Sequence, residues 1–151
     1  MMLPWPLTVE MDESLSNIII ELMVIDASGE IRGRTRLQKT MFLLKEEYKM
    51  PITLHFEPYF YGPYSEELTY DLETLKAFKV IEEERVRIND YYEYRYKLTP
   101  KGKQILTKLL NSNQNLRKLH EDIKVHVKEL NKIPLKDLVA KAKALLAISN
   151  P

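Results

Sequence analysis

The chain predicts a mainly α fold with a small β-hairpin. It divides into a winged helix-turn-helix domain over residues 1–104, which takes in an N-terminal arm and first helix, and a C-terminal helical extension over 105–151. Three observations carry this. Apolar residues recur at helical spacing in successive segments as far as Phe78, and the period then switches to alternation between Ile81 and Leu98. After that stretch, Leu98-Thr99-Pro100-Lys101-Gly102 opens a new helix. A turn, a second helix and a hairpin in this order give a small domain one surface suited to nucleic acid.

Each element follows from local pattern. Leu15, Ile18, Ile19, Leu22 and Ile25 form a stripe that predicts a first helix over Glu13 to Ala27, capped by Asp12 or Ser14 and ended by Ser28-Gly29. Gly29 to Gly33 is a short connection with room for a stub of strand. Leu37, Met41, Leu44 and Tyr48 place a second helix over Arg34 to Tyr48, stopped by Met50-Pro51. Pro51 and Pro58 keep Ile52 to Tyr61 extended. Phe60-Tyr61-Gly62-Pro63-Tyr64-Ser65 reads as a turn leading into a third helix capped by Ser65, which runs to about Phe78 and buries Leu68, Leu72 and Leu75. A two-residue turn at Asn89-Asp90 sets Glu84 opposite Arg95, Glu82 opposite Lys97 and Ile81 opposite Leu98, so one register satisfies charge and apolar pairing together.

Beyond the hairpin, Ile105, Leu109, Ser112, Leu116, Leu119, Ile123, His126 and Leu130 step by four and three, a heptad seam suited to dimerisation. The polar run Asn111 to Asn115 suits a break into two helices equally well, because Asn and Ser favour caps over helix interiors. A last amphipathic helix spans Leu135 to Ile148 behind Pro134, with Leu138, Val139, Ala142, Leu145 and Leu146 on one face.

Composition narrows the function. At 151 residues and 44% hydrophobic, the chain suffices for one ordinary core with a helical appendage. Without cysteine there are no disulfides, thiolate metal sites or cysteine nucleophiles, and the default compartment is the cytoplasm. Met1 to Leu7 is too short and too proline-broken for a signal peptide, and no stretch approaches the roughly 20 apolar residues of a membrane span, so a soluble protein is expected. The net charge of +1 conceals a balance of −6 over residues 1–99 and +7 over 100–151. The basic excess thus lies mainly outside the expected reading head.

Candidate contacts divide by charge. Arg32, Arg34, Arg36 and Lys39 cluster at the start of the second helix, where they can grip phosphates or form a solvated face. On the hairpin, Arg85 and Arg87 share a face with Tyr92 and Tyr94; this suits nucleic acid, or cross-strand packing of arginine stems on tyrosine rings. The third helix offers Tyr64, Ser65, Thr69, Tyr70 and Thr74 to bases or sugars, while Glu66, Glu67, Asp71 and Glu73 on its outward side would repel a phosphate lattice. Tyr59, Tyr61 and Tyr64 around Gly62-Pro63 are expected to be packing. His55, His120 and His126 lack metal-binding spacing, and no phosphate loop, dinucleotide fingerprint or nucleophile motif is present, so neither catalysis nor a metal or other cofactor is expected.

Arg36-Leu37-Gln38-Lys39 with Met41-Phe42-Leu43-Leu44, then Phe60 to Ser65 with Leu68 and Asp71-Leu72, resembles a group of prokaryotic winged-helix proteins of the YwgA type over roughly residues 34–84. The Thr-Pro-Lys-Gly opening after the hairpin is also similar to winged-helix regulators of the PadR and MarR types. The resemblance implies the fold, regulation of transcription and dimerisation through helices outside the reading head. The resulting expectation is a homodimeric regulator of double-stranded DNA whose seam is Ile105, Leu109, Leu116, Leu119, Ile123 and Leu130. The alternative is a non-catalytic module, antitoxin-like or adaptor, that binds a protein partner on the same scaffold.

Overall fold

The computed structural model describes residues 13–149; the apolar Met1 to Leu7 and the expected cap Asp12 lie outside what is described, as does the side chain of the other expected cap, Ser14. Among the described residues the chain is mainly helical, with six helices and two small antiparallel sheets. The helices are α1 (Glu13–Ser28), α2 (Arg34–Glu46), α3 (Glu66–Ala77), α4 (Pro100–Ser112), α5 (Gln114–Leu130) and α6 (Leu135–Ser149). The strands are β1 (Ile31–Arg32), β2 (Glu57–Tyr59), β3 (Gly62–Tyr64), β4 (Ile81–Ile88) and β5 (Tyr91–Leu98). No helix among them is long and apolar enough to cross a membrane.

Alternation decides the larger sheet. Strands β4 and β5 pair with Ile81 opposite Leu98, Glu82 opposite Lys97 and Glu84 opposite Arg95, the register that the sequence predicts, and β1 joins the outer side of β5. Neither charge couple forms an ion pair; the Arg95 guanidinium turns along its own strand to Glu93 at 2.7 Å. Ile52 to Phe56 has no regular secondary structure, and the chain then makes a second hairpin: Tyr59 faces Gly62 across the two-residue turn Phe60-Tyr61.

Helix starts follow their caps. Ser65 Oγ accepts from the Leu68 amide at 3.2 Å and opens α3, while Thr99 Oγ1 accepts from the Gly102 amide at 3.0 Å and opens α4. Asn113 settles the open question about the C-terminal segment. In an extended conformation, with its side chain accepting from the Leu116 amide at 3.1 Å, it ends α4 and caps α5, so residues 100–130 form two helices.

The core sits between α1 and the layers around it. From Ile19 to Ile25 every side chain of α1 is buried, and only Leu15 of the expected stripe is exposed. Helix α5 packs along α1, α6 packs along α2 and β3, and α3 covers β4. This placement bears on the residues of the expected dimer seam. Leu116, Ile123 and Leu130 are buried in the same core, with Ile105, Leu109 and Leu119 packed against it. Three of the six are therefore buried within one chain, where α5 folds back on α1, and Ile105, Leu109 and Leu119 stay half-buried at its edge.

Candidate nucleic-acid interface

Gly33 precedes α2 with φ 108°, and its amide donates to the Tyr94 carbonyl at 2.8 Å, which ties the start of α2 to the middle of β5. This backbone contact positions Arg34. Its guanidinium lies 3.8 Å from the centre of the Tyr94 ring, its Nε donates to the Tyr96 hydroxyl at 3.0 Å, and its Nη2 lies 3.4 Å from Glu83 Oε2. Burial works against the Arg34 charge, but Tyr96 and Glu83 outweigh it and hold the pKa above its ordinary value. Glu83 also accepts from Lys76 at 2.8 Å and from the Tyr96 hydroxyl at 2.5 Å; burial opposes its charge, yet these donors keep it below the usual carboxylate range. Arg34 is thus an ordered, half-exposed cation.

The same face continues to the hairpin tip. Arg85 lies over the Tyr92 ring at 4.3 Å and Arg87 at 5.9 Å from the same ring, while Arg87 Nε donates to the Asn89 carbonyl at 2.9 Å. Arg34, Tyr94, Arg85, Tyr92 and Arg87 therefore alternate cation and ring along one side of β4 and β5, with both hairpin arginines exposed. The two readings of this pattern coexist, since the arginine stems pack on rings while their charges face solvent. Arg32 projects from the opposite face toward Glu93, 3.9 Å away.

Other expected contacts are directed inward. Arg36 donates to the carbonyls of Leu130 and Ile133 at 3.3 and 2.7 Å, fastening the end of α5 to α2, and is corrected from a phosphate grip to a helix-end clamp. Lys39 is buried and donates to the Pro63 carbonyl at 2.9 Å; burial, then the neighbouring Lys143, lowers its pKa to about 8. Ser65 is fully buried as a cap, and Gln38 grips its backbone twice, at 2.7 and 3.0 Å. Thr69 is shared between Gln38 and the Tyr64 hydroxyl, 2.6 Å away. Only Tyr70, 73% exposed, stands free of the protein body among the five side chains expected from the third helix, Thr74 being half-buried.

The carboxylates of α3 change meaning too. Asp71 is buried beside Glu21 of α1, Glu67 accepts from the His55 amide at 2.8 Å, and Glu73 pairs with Lys76 at 3.2 Å. Three of the four acids counted as outward therefore have structural roles. Asp71 falls at the i+3 position after Leu68, on the stripe of Leu68, Leu72 and Leu75, so the periodicity itself carried the signal.

The second hairpin adds what sequence reasoning missed. Phe60 is 82%, Tyr61 62% and Tyr59 51% exposed, so Tyr59 and Tyr61 are not the packing residues that the sequence suggested. Tyr59 lies parallel to Tyr64 at 4.8 Å, and Phe60 stands edge-on to Tyr61 at 4.9 Å. Gly62 lets the hairpin sit close to its support: with φ 98°, it approaches Lys143 and Lys39 so nearly that a Cβ would come within 3.3 and 3.4 Å of their side chains.

No family model matches the chain. Over 85 residues it is 39% identical to the uncharacterized protein YwgA of Bacillus subtilis (strain 168), a match that takes in 56% of this chain and 51% of that protein. The chain spans about half the length of the curated relative it matches. The resemblance to the YwgA type is borne out to that extent.

Proposed function

We propose that this chain is a winged-helix DNA-binding protein that regulates transcription, with α3 as recognition helix and the β4–β5 hairpin as wing. One observation carries the reading: the run of Arg34, Arg85 and Arg87 over Tyr92 and Tyr94, which joins the start of α2 to the wing tip on one face. Guanidinium groups ordered on rings suit phosphates, because their planar donors match the oxygen geometry and little side-chain entropy remains to be lost. The burial of Asp71 supports it as well, since that acid does not face an approaching phosphate. No dimer seam enters the proposal, because Leu116, Ile123 and Leu130, half of its expected residues, are buried in the core of one chain.

A second reading, a protein-binding module on the same scaffold, draws on Glu66 and Glu67, which stand exposed at the head of α3 where a phosphate would approach. Titration of random duplex DNA at several salt concentrations separates the two. The first reading expects binding that weakens steeply with salt; absence of binding at low salt transfers the assignment to the second.

A further inference from the structure

A cleft of about 240 Å³ lies between the start of α2 and the β2–β3 hairpin, walled by the rings of Tyr59, Phe60, Tyr61 and Tyr64 and by the cations Arg34 and Lys39. Its lining is mostly carbon, yet the exposed Arg34 guanidinium borders it, while Lys39 lines its wall with the ammonium turned to the Pro63 carbonyl. That combination suits a planar ring tethered to an anion, which is the chemistry of a nucleotide. Three features argue that the nucleotide belongs to a strand. Arg34 borders the cleft and also lies over Tyr94, so the cleft is continuous with the arginine–tyrosine face of the wing. Phe60 offers solvent an apolar ring at the apex of a two-residue turn, where nothing in the fold requires it. The platform behind it is rigid: Tyr59 stacks on Tyr64, whose hydroxyl is held by Thr69, and Gly62 seats the hairpin against α2 and α6.

A base inside a duplex has both faces covered by its neighbours, so only an unpaired base can meet these rings. We infer that the cleft formed by the β2–β3 hairpin and Arg34 receives one unpaired base of a nucleic-acid strand whose backbone runs along the wing. This inference rests on the nucleic-acid reading above. It gives the protein a preference for bulged, frayed or single-stranded sites over perfect duplex.

The test uses the full chain with four probes: a paired duplex, the same duplex with a one-nucleotide bulge, a single strand of equal length, and a free mononucleotide. Wild type, Tyr59→Ala and Phe60→Ala are compared by fluorescence anisotropy, with melting curves to confirm that the exposed substitutions leave the fold intact. Wild type is expected to bind the bulged duplex at least about fivefold more tightly than the paired one, the low end of one base–aromatic stack. Each variant is expected to lose that margin while keeping paired-duplex affinity. Equal binding of bulged and paired duplex by wild type, or variants that weaken both alike, overturns the inference while leaving the nucleic-acid reading standing. Binding of the mononucleotide with no preference among strands overturns it in favour of a small-ligand site. Absence of binding to every strand defeats the nucleic-acid reading itself, and the inference with it.

Discussion

Replacing Glu21 by Gln probes the most costly group in the core. Glu21 is fully buried in α1, and the Asp71 carboxyl is the hydrogen-bonding neighbour of its own carboxyl. Burial, then the Asp71 carboxyl, then the charge of Glu67 all push its pKa well above 4.5. Asp71 is raised in the same direction by its own burial. A carboxyl raised in the folded state binds its proton more tightly there than in the unfolded chain. Its contribution to stability is complete below the unfolded pKa and is lost as pH rises through the folded value. Where the unfolded chain has ionised Glu21 and the folded protein has not, each pH unit costs about 1.4 kcal/mol. Glutamine keeps the shape and cannot ionise, so the wild type should lose stability relative to Glu21→Gln by up to about that slope per unit. Urea unfolding of both proteins at about pH 5, 6 and 7 measures it, and Asp71→Asn serves as a companion because the two acids share one environment. If the stability difference between variant and wild type stays flat over this range, Glu21 is not held protonated and the reasoning is wrong.

Two further outcomes test the packing. Gly102→Ala would place a Cβ 2.1 Å from the Val80 carbonyl oxygen, so overpacking of about 1–3 kcal/mol should exceed the helical advantage of alanine, about 1 kcal/mol; a melting temperature equal to or above that of wild type contradicts this. Ile123→Ala should cost about 2–5 kcal/mol by opening a cavity between α5 and α1, without changing the mass in light scattering; a folded variant of lower mass than wild type would restore the seam as an interface between copies.

What was legible in the sequence depended on whether the cause was local. The β4–β5 register could be read because alternation, charge complementarity and the Asn89-Asp90 turn agree, and Asn89 adopts φ 56° as such a turn requires. Ser65 and Thr99 were recognisable as caps, since capping needs only an oxygen at the right offset. The β2–β3 hairpin was not legible: each strand has three residues, and Pro58 and Pro63 argue against strands where they stand. Lys39 and Arg36 looked like surface cations because charged side chains are rarely buried. They are turned inward by α6, β3 and the end of α5, the last more than 90 residues away from Arg36, and no periodicity of α2 records such partners. The heptad steps of Leu116, Ile123 and Leu130 were real, but a seam does not reveal whether its partner helix is α1 of the same chain or a second copy.

The central claim is that phosphates are gripped by the arginine face rather than by α3, and the salt dependence of duplex binding tests it most directly. Wild type, Arg85→Ala, Arg87→Ala and Glu67→Ala are titrated with one duplex pool at several salt concentrations, with Arg34→Ala added once its melting curve shows that the contacts to Tyr96 and Glu83 are not needed for folding. The account predicts weaker binding across all sequences, and a salt slope reduced by about 1 for each arginine removed, while Glu67→Ala keeps the wild-type slope. Affinity and slope unchanged in all the arginine variants would contradict it.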